Sequence, residues 1–128
     1  MPVILLIEDE GPLRSTLAAI LRCKGFTVIE ASNGSEGVQL SKTCNADLIL
    51  SDVKMPEMDG LAMLEAMRKE PATARIPFIL MTERLDERDL HRAYASGAAD
   101  YLVKPIPTSD LVAAINTHIR KHQALSHG

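Results

Sequence analysis

The sequence has 128 residues, 46% of them hydrophobic and 24% charged, which suits one domain with its own core and excludes a disordered chain or a disulfide-dependent miniature. Fourteen basic and 17 acidic side chains leave a formal net charge of −3, the wrong sign for a surface that binds nucleic acid. No apolar run approaches the roughly 20 residues of a membrane span, MPVILLIEDE lacks the basic start of a signal peptide, and Cys23 and Cys44 form no CxxC or zinc spacing, so a cytoplasmic domain away from the membrane is expected.

Two kinds of segment then alternate. Val3-Ile4-Leu5-Leu6-Ile7 is an unbroken apolar run, as a parallel strand buried on both faces requires. Gly11-Pro12 opens a helix with Leu13, Leu17, Ile20 and Leu21 at helical spacing, ending near Gly25. Phe26–Ile29 is the second predicted strand, Asn33-Gly34 a turn, and Ser35–Cys44 a second helix carrying Val38 and Leu40. Leu48-Ile49-Leu50 is the third strand and runs into Ser51-Asp52. Leu61, Leu64 and Met67 stripe a third helix, with Met63 beside them. Ile76–Met81 is the fourth strand, and Leu90, Ala93 and Tyr94 sit on a fourth helix closed by Gly97. Tyr101–Val103 is the fifth strand, and Leu111, Ala114, Ile115 and His118 belong to a fifth helix. Strands alternating with helices in this way predict an α/β fold: a (βα)5 doubly wound parallel sheet with right-handed crossovers and the flavodoxin-like strand order 2-1-3-4-5. The domain is expected over residues 1–121, with residues 122–128 as a flexible tail or the start of a linker.

In such a sheet, chemistry gathers at the carboxyl ends of the strands. The first strand ends in Glu8-Asp9, the third in Asp52, the fourth in Thr82 and the fifth in Lys104. Three carboxylates brought together repel one another and raise each other's pKa values, so the cluster implies a cation. Hard oxygen ligands in this number suit Mg²⁺. Such a site, with Lys104 as a second positive charge and Thr82 as a hydroxyl donor, also neutralises a phosphoryl group. An aspartate carboxylate can serve as the nucleophile and form an acyl phosphate. Asp52, placed directly after buried apolar positions, is the candidate, because an unpaired charge there is costly. Taken singly, each residue has an ordinary explanation: Glu8 or Asp9 as a helix cap, Thr82 as a strand end, Lys104 as a surface lysine. Their coincidence at matching strand ends does not.

The stretches Ile7-Glu8-Asp9-Glu10, Asp52-Val53-Lys54-Met55-Pro56-Glu57-Met58-Asp59-Gly60, Thr82, Gly97-Ala98-Ala99-Asp100-Tyr101 and Lys104-Pro105-Ile106 together resemble the response-regulator receiver domains of two-component signalling, and the chain is similar to the single-domain chemotaxis regulators among them. The resemblance covers Val3 to about Lys121. It implies that Asp52 accepts a phosphoryl group from a histidine kinase or a histidine phosphotransfer protein. It implies that Glu8, Asp9, Asp52 and the Lys54 backbone carbonyl hold Mg²⁺. By the same resemblance Thr82 is the hydroxyl that moves to the phosphoryl group, Tyr101 the aromatic that swings inward with it, and Lys104 the lysine that pairs with the acceptor. The Lys104-Pro105 bond resembles the family's cis peptide. The output implied is a changed surface on the fourth helix, fifth strand and fifth helix, read by an effector protein or by a second copy. The chain would catalyse its own phosphorylation and dephosphorylation, without metabolic turnover. Glu83 departs from the small residue usual after the switch threonine. Lys54 and Arg84, two beyond Asp52 and Thr82 respectively, are expected to tune access of water to the phosphoryl group.

Rival readings fail on single residues or remain as alternatives. A haloacid dehalogenase-type phosphatase wants a carboxylate where Lys54 stands. A flavin carrier wants a phosphate loop where Glu8-Asp9-Glu10 stands. A pseudo-receiver that binds partners without phosphorylation is the alternative, and its hallmark would be loss of Asp52, Lys104 or the acidic pair. His118 and His122 share a helix face without a third metal ligand, and they and His91 are expected in solvent, while Cys23 and Cys44 are expected buried or half-buried. Arg84, Arg88 and Arg92 among Asp86, Glu87 and Asp89 read as a salt-bridged helix face. Leu85 is expected one turn into the fourth helix and exposed.

Overall fold

A computed structural model describes residues 1–127, with side chains described through residue 125. Five strands alternate with five helices: β1 (Val3–Ile7), α1 (Gly11–Cys23), β2 (Thr27–Ala31), α2 (Gly34–Ser41), β3 (Leu48–Asp52), α3 (Gly60–Arg68), β4 (Phe78–Thr82), α4 (Glu87–Ala95), β5 (Asp100–Val103) and α5 (Thr108–His127). The strands form one parallel sheet in the order β2-β1-β3-β4-β5. This is the predicted architecture.

The apolar runs are continuous because both faces of the sheet are covered. Successive strand residues point to opposite sides. Leu5, Ile7, Ile49, Phe78 and Leu80 pack with Leu61, Leu64 and Met67 of α3 and with Ala93 of α4. Ile4, Leu6, Leu48, Leu50, Ile79 and Met81 pack with Ala18 and Leu21 of α1 and Leu111, Ile115 and Ile119 of α5. Every residue of β3 and β4 is buried. At roughly 25 cal/mol per Å² of apolar surface, these central strands contribute most of the burial free energy per residue.

Local signals set the boundaries. Asn33, Asp59 and Asp86 cap α2, α3 and α4 by accepting from the backbone N–H three residues on, at 2.8, 2.8 and 3.0 Å. Gly25 and Gly97 stop α1 and α4 with φ of 96° and 92°, a conformation that costs a side-chain-bearing residue roughly 1–2 kcal/mol.

Several expectations need correction. β2 begins one residue later than predicted and runs two further, to Ala31, because Ile7 pairs with Ala31 and extends the ladder. The second helix stops at Ser41, not Cys44. Leu85 lies in the loop before α4, not inside it, because Asp86 caps the helix; it is 60% exposed. Cys23 is exposed, on the side of α1 away from Leu21, whereas Cys44 is half-buried. α5 itself spans Thr108–His127, and residues 108–127 hold no glycine or proline to end it.

Tertiary packing also redirects the charged side chains. The face of α4 is not salt-bridged within its own helix in the way the spacing suggests. Arg92 forks onto Glu65 of α3, at 2.9 Å from Nε and 2.7 Å from Nη2, which holds the Glu65 carboxyl below its usual range. Asp89 turns instead to Lys54 at 3.5 Å. His118 is not a solvated histidine: its Nε2 lies 3.1 Å from Asp100 Oδ2 at the start of β5. His91 is exposed, as expected.

Candidate functional site

Strand register builds the site. Ile7 pairs with Ser51 and Asp52 with Met81. Glu8, one residue beyond Ile7, therefore falls beside Asp52. Thr82 pairs with Val103, and the Lys104 N–H donates to the Thr82 carbonyl at 2.7 Å. These four residues thus meet at one edge of the sheet, together with Asp9 on the loop after Glu8.

The three carboxylates of Glu8, Asp9 and Asp52 each offer an oxygen within 4.8 Å of the others. Lys104 Nζ lies 2.7 Å from Asp52 Oδ1 and 3.6 Å from Glu8 Oε1. Glu8 is buried to 1% exposure, and its Oε1 has no hydrogen-bond donor. Desolvation by burial, and then the neighbouring Asp52 carboxylate, raise the Glu8 pKa. Partial desolvation, and then Glu8, raise that of Asp9. Burial works against the Lys104 ammonium, but Asp52 and Glu8 together outweigh it and raise its pKa. One ammonium facing three carboxylates leaves a deficit of positive charge. A hard divalent cation fits this donor set: carboxylate oxygens close together, one buried and orphaned.

A cleft of about 530 Å³ opens over this cluster, with Asp52, Thr82, Lys104, Lys54, Glu83 and Arg84 on its walls. The tuning candidates are therefore on the cleft, although the Lys54 ammonium is engaged by Asp89. The Thr82 hydroxyl donates to the Arg84 carbonyl at 3.0 Å. Tyr101 is 7% exposed, and its hydroxyl is buried without a hydrogen-bond partner. The ring is thus already inward while the Thr82 hydroxyl is engaged by the Arg84 carbonyl. The Lys104–Pro105 peptide is cis.

Gly60 lies within the long matching stretch, and with no side chain it carries no chemical signal of its own. In the structure it begins α3 directly against the Asp52 backbone. Its N–H donates to the Val53 carbonyl at 2.9 Å. A Cβ at this position would come 2.2 Å from the Asp52 carbonyl oxygen and 2.8 Å from Leu80 Cδ2. The helix can approach Asp52 only because no side chain intervenes. A glycine directly after the capping Asp59 was the available signal.

The buried Glu8 sets a pH dependence. A carboxyl whose folded pKa is raised stabilises the fold fully below its ordinary value of 4.5, and that contribution is lost as pH rises through the folded pKa. In metal-free protein, Glu8→Gln should therefore gain stability relative to wild type as pH rises from 4.5 toward neutrality. Urea unfolding in chelator at a series of pH values measures this. Parallel curves for the two proteins would show that Glu8 does not carry the dependence.

Comparison with known proteins agrees with the geometry. The family described as the response regulator receiver domain matches residues 4–116. The transcriptional activator protein PfeR of Pseudomonas aeruginosa is 38% identical over 120 residues, which are 94% of this chain and 38% of that protein. The transcriptional regulatory protein PdtaR of Mycobacterium tuberculosis is 38% identical over 125 residues, 96% of this chain and 59% of that protein. The chain thus spans 38% and 59% of the lengths of these two relatives. Among solved structures, a response regulator receiver domain protein from Clostridium thermocellum superposes with a TM-score of 0.90 at 31% identity, covering 98% of this chain and 99% of that one. The Vibrio cholerae chemotaxis protein CheY4 gives a TM-score of 0.86 at 26% identity, covering 91% of this chain and 98% of that one. With the fold, the strand-end carboxylates and these relatives in agreement, the chain belongs to the response regulator receiver domains of two-component systems.

Proposed function

We propose that this domain accepts a phosphoryl group on Asp52 from a histidine kinase or a histidine phosphotransfer protein, in a Mg²⁺-dependent reaction, and passes the change to a protein partner. The observation that carries the reading is the placement of Asp52: a buried carboxylate at a strand end, 2.7 Å from Lys104 and clustered with Glu8 and Asp9. Glu8, Asp9, Asp52 and the Lys54 backbone carbonyl are the proposed holders of the metal ion, which when bound supplies positive charge against the phosphoryl oxygens. An Asp52 carboxylate oxygen attacks phosphorus in line. The bond to the donor nitrogen of phosphohistidine breaks, and the electron pair leaves with the imidazole. Lys104 keeps its ammonium beside Asp52 and is placed to follow the transferred charge. Water then releases inorganic phosphate and regenerates Asp52.

The Thr82 hydroxyl has a local choice. It now donates to the Arg84 carbonyl, and a phosphoryl group on Asp52 would offer a charged acceptor, roughly twice as strong as a neutral one. Turning Thr82 would release the loop that bears Arg84 and Leu85 and move the start of α4. With Tyr101 already buried, the change at the face of α4, β5 and α5 begins at Thr82 and does not wait for the ring. Val103 and Tyr94, 42% and 49% exposed, give that face apolar surface for an effector or a second copy. Among the described residues no helix is long and apolar enough to cross a membrane, and the proposed setting is the cytoplasm. The chain's net charge of −3 supports protein partners for this domain in place of direct nucleic-acid contact.

Labelling with a small acyl phosphate in the presence and absence of Mg²⁺ tests the reading by intact mass. One phosphoryl group should be added, and only with the metal. A companion test addresses Lys54 and Arg84, which line the cleft. Replacing both by alanine should change the decay rate of the phosphorylated protein by about threefold to tenfold, an effect on the barrier of roughly 1 kcal/mol, while leaving labelling intact. An unchanged half-life would mean that neither side chain governs the approach of water.

A further inference from the structure

Arg14 reaches the acidic loop from outside the cluster. It lies in the first turn of α1, and its Nη1 donates to the Glu8 carbonyl at 2.7 Å. The Glu8 N–H is held at the same time by the Ala31 carbonyl of β2 at 3.1 Å. Both main-chain groups of Glu8 are thus tied, one to β2 and one to α1. The peptide that leads from Glu8 into Asp9 is the one whose oxygen Arg14 grips. Asp9 is exposed, so the backbone that carries it sets the aim of its carboxylate.

Arg14 is in turn oriented. Its Nε lies 3.4 Å from Glu30 Oε1 in β2. The other oxygen of Glu30 lies 3.3 Å from Arg22 Nη1, and Arg22 Nη2 donates to the Val28 carbonyl at 2.8 Å. The guanidinium of Arg14 is the part of this chain of contacts that meets the acidic loop. A planar fork holds its donors on different edges in fixed directions, matched here to Glu30 and Glu8 at once, a geometry that a compact ammonium does not reproduce.

We propose that Arg14, held by Glu30, is a positioning residue for the acidic pair: it fixes the Glu8–Asp9 peptide so that the carboxylates of Glu8, Asp9 and Asp52 converge on a divalent cation. This rests on the metal-binding reading of the site given above. Partners that orient a metal's ligands typically change affinity by 10–100-fold when removed. The role differs from a plain surface ion pair, which is worth little and leaves a distant site unchanged.

The test is direct Mg²⁺ titration of metal-free protein, followed by amide chemical shifts, with urea unfolding in chelator beside it. Arg14→Gln should weaken Mg²⁺ about tenfold or more and shift the Asp9 and Glu10 amides before any metal is added. Glu30→Gln, which keeps Arg14 but loosens it, should weaken Mg²⁺ in the same direction by less. Arg14→Lys should recover only part of the affinity. Arg22→Gln, which breaks the far end of the same network without touching Glu8, should leave Mg²⁺ affinity within about twofold, as expected for a partner outside the ligand-orienting shell. If Arg14→Gln binds Mg²⁺ like wild type, the proposal is overturned while the metal site stands. Equal weakening by Arg14→Gln and Arg22→Gln would also overturn it, because the network would then act only through stability. Failure of the wild-type protein itself to bind Mg²⁺ would remove the underlying metal reading and this proposal with it.

Discussion

Asp52→Asn should abolish phosphoryl labelling outright, from a small acyl phosphate and from any partner kinase alike. The amide keeps the size of the side chain, so the packing of β3 is undisturbed. It removes the proposed nucleophilic oxygen, and no neighbouring carboxylate is placed to substitute for it: Glu8 is buried, and Asp9 lies on the exposed loop at the rim of the cleft. Lys104 loses its 2.7 Å ion pair and keeps Glu8 at 3.6 Å. Removing one of three like charges and one ion pair together leaves the metal-free stability within roughly 1 kcal/mol. Intact mass after incubation with phosphodonor and Mg²⁺ measures the first effect, and urea unfolding the second. Labelling of the variant at the wild-type level would show that another residue is the acceptor. Loss of labelling together with loss of the fold would show that Asp52 is structural first.

Gly60→Ala should be among the most damaging single-methyl changes available to this chain. The added carbon would lie 2.2 Å from the Asp52 carbonyl oxygen and 2.8 Å from Leu80 Cδ2. The first of these is backbone of the central strand and cannot rotate away. Either α3 retreats from the sheet or β3 bends at Asp52. Overpacking of this kind costs about 3 kcal/mol or more, and the displaced backbone carries Asp52 with it. Labelling should therefore slow even where the protein remains folded. Gly11→Ala is the matched control, because a Cβ there would meet nothing within 4 Å. That change should be neutral or stabilising by up to about 1 kcal/mol. Urea unfolding of both variants, with labelling rates at equal folded fraction, separates the two effects. A Gly60→Ala protein as stable and as readily labelled as Gly11→Ala would mean that α3 yields freely, and that its close approach does not set the position of Asp52.

The architecture was legible in the sequence because it depends on period and on polarity at strand ends. The runs Val3–Ile7 and Leu48–Leu50 are apolar without alternation, which only a sheet covered on both faces accommodates. Alternate residues of those runs do go to opposite cores. Polar residues that interrupt such runs at their carboxyl ends must share one edge of a parallel sheet. That is why Glu8, Asp9, Asp52, Thr82 and Lys104 were found as a set. What the tertiary structure alone decided is which side chain meets which. Glu65 is held by Arg92, 27 residues away, and His118 by Asp100, 18 residues away. Asp89 turns to Lys54 and not along its own helix. The Thr82 hydroxyl donates to the Arg84 carbonyl. Gly60 needs its missing side chain because of an oxygen in another element, and Arg14 reaches Glu8 only once α1 packs beside β2. Hydrophobic period is a local property, repeated within each element and readable from spacing. A polar contact needs an angle and a distance good to a fraction of an ångström between elements, and packing of the whole core sets both.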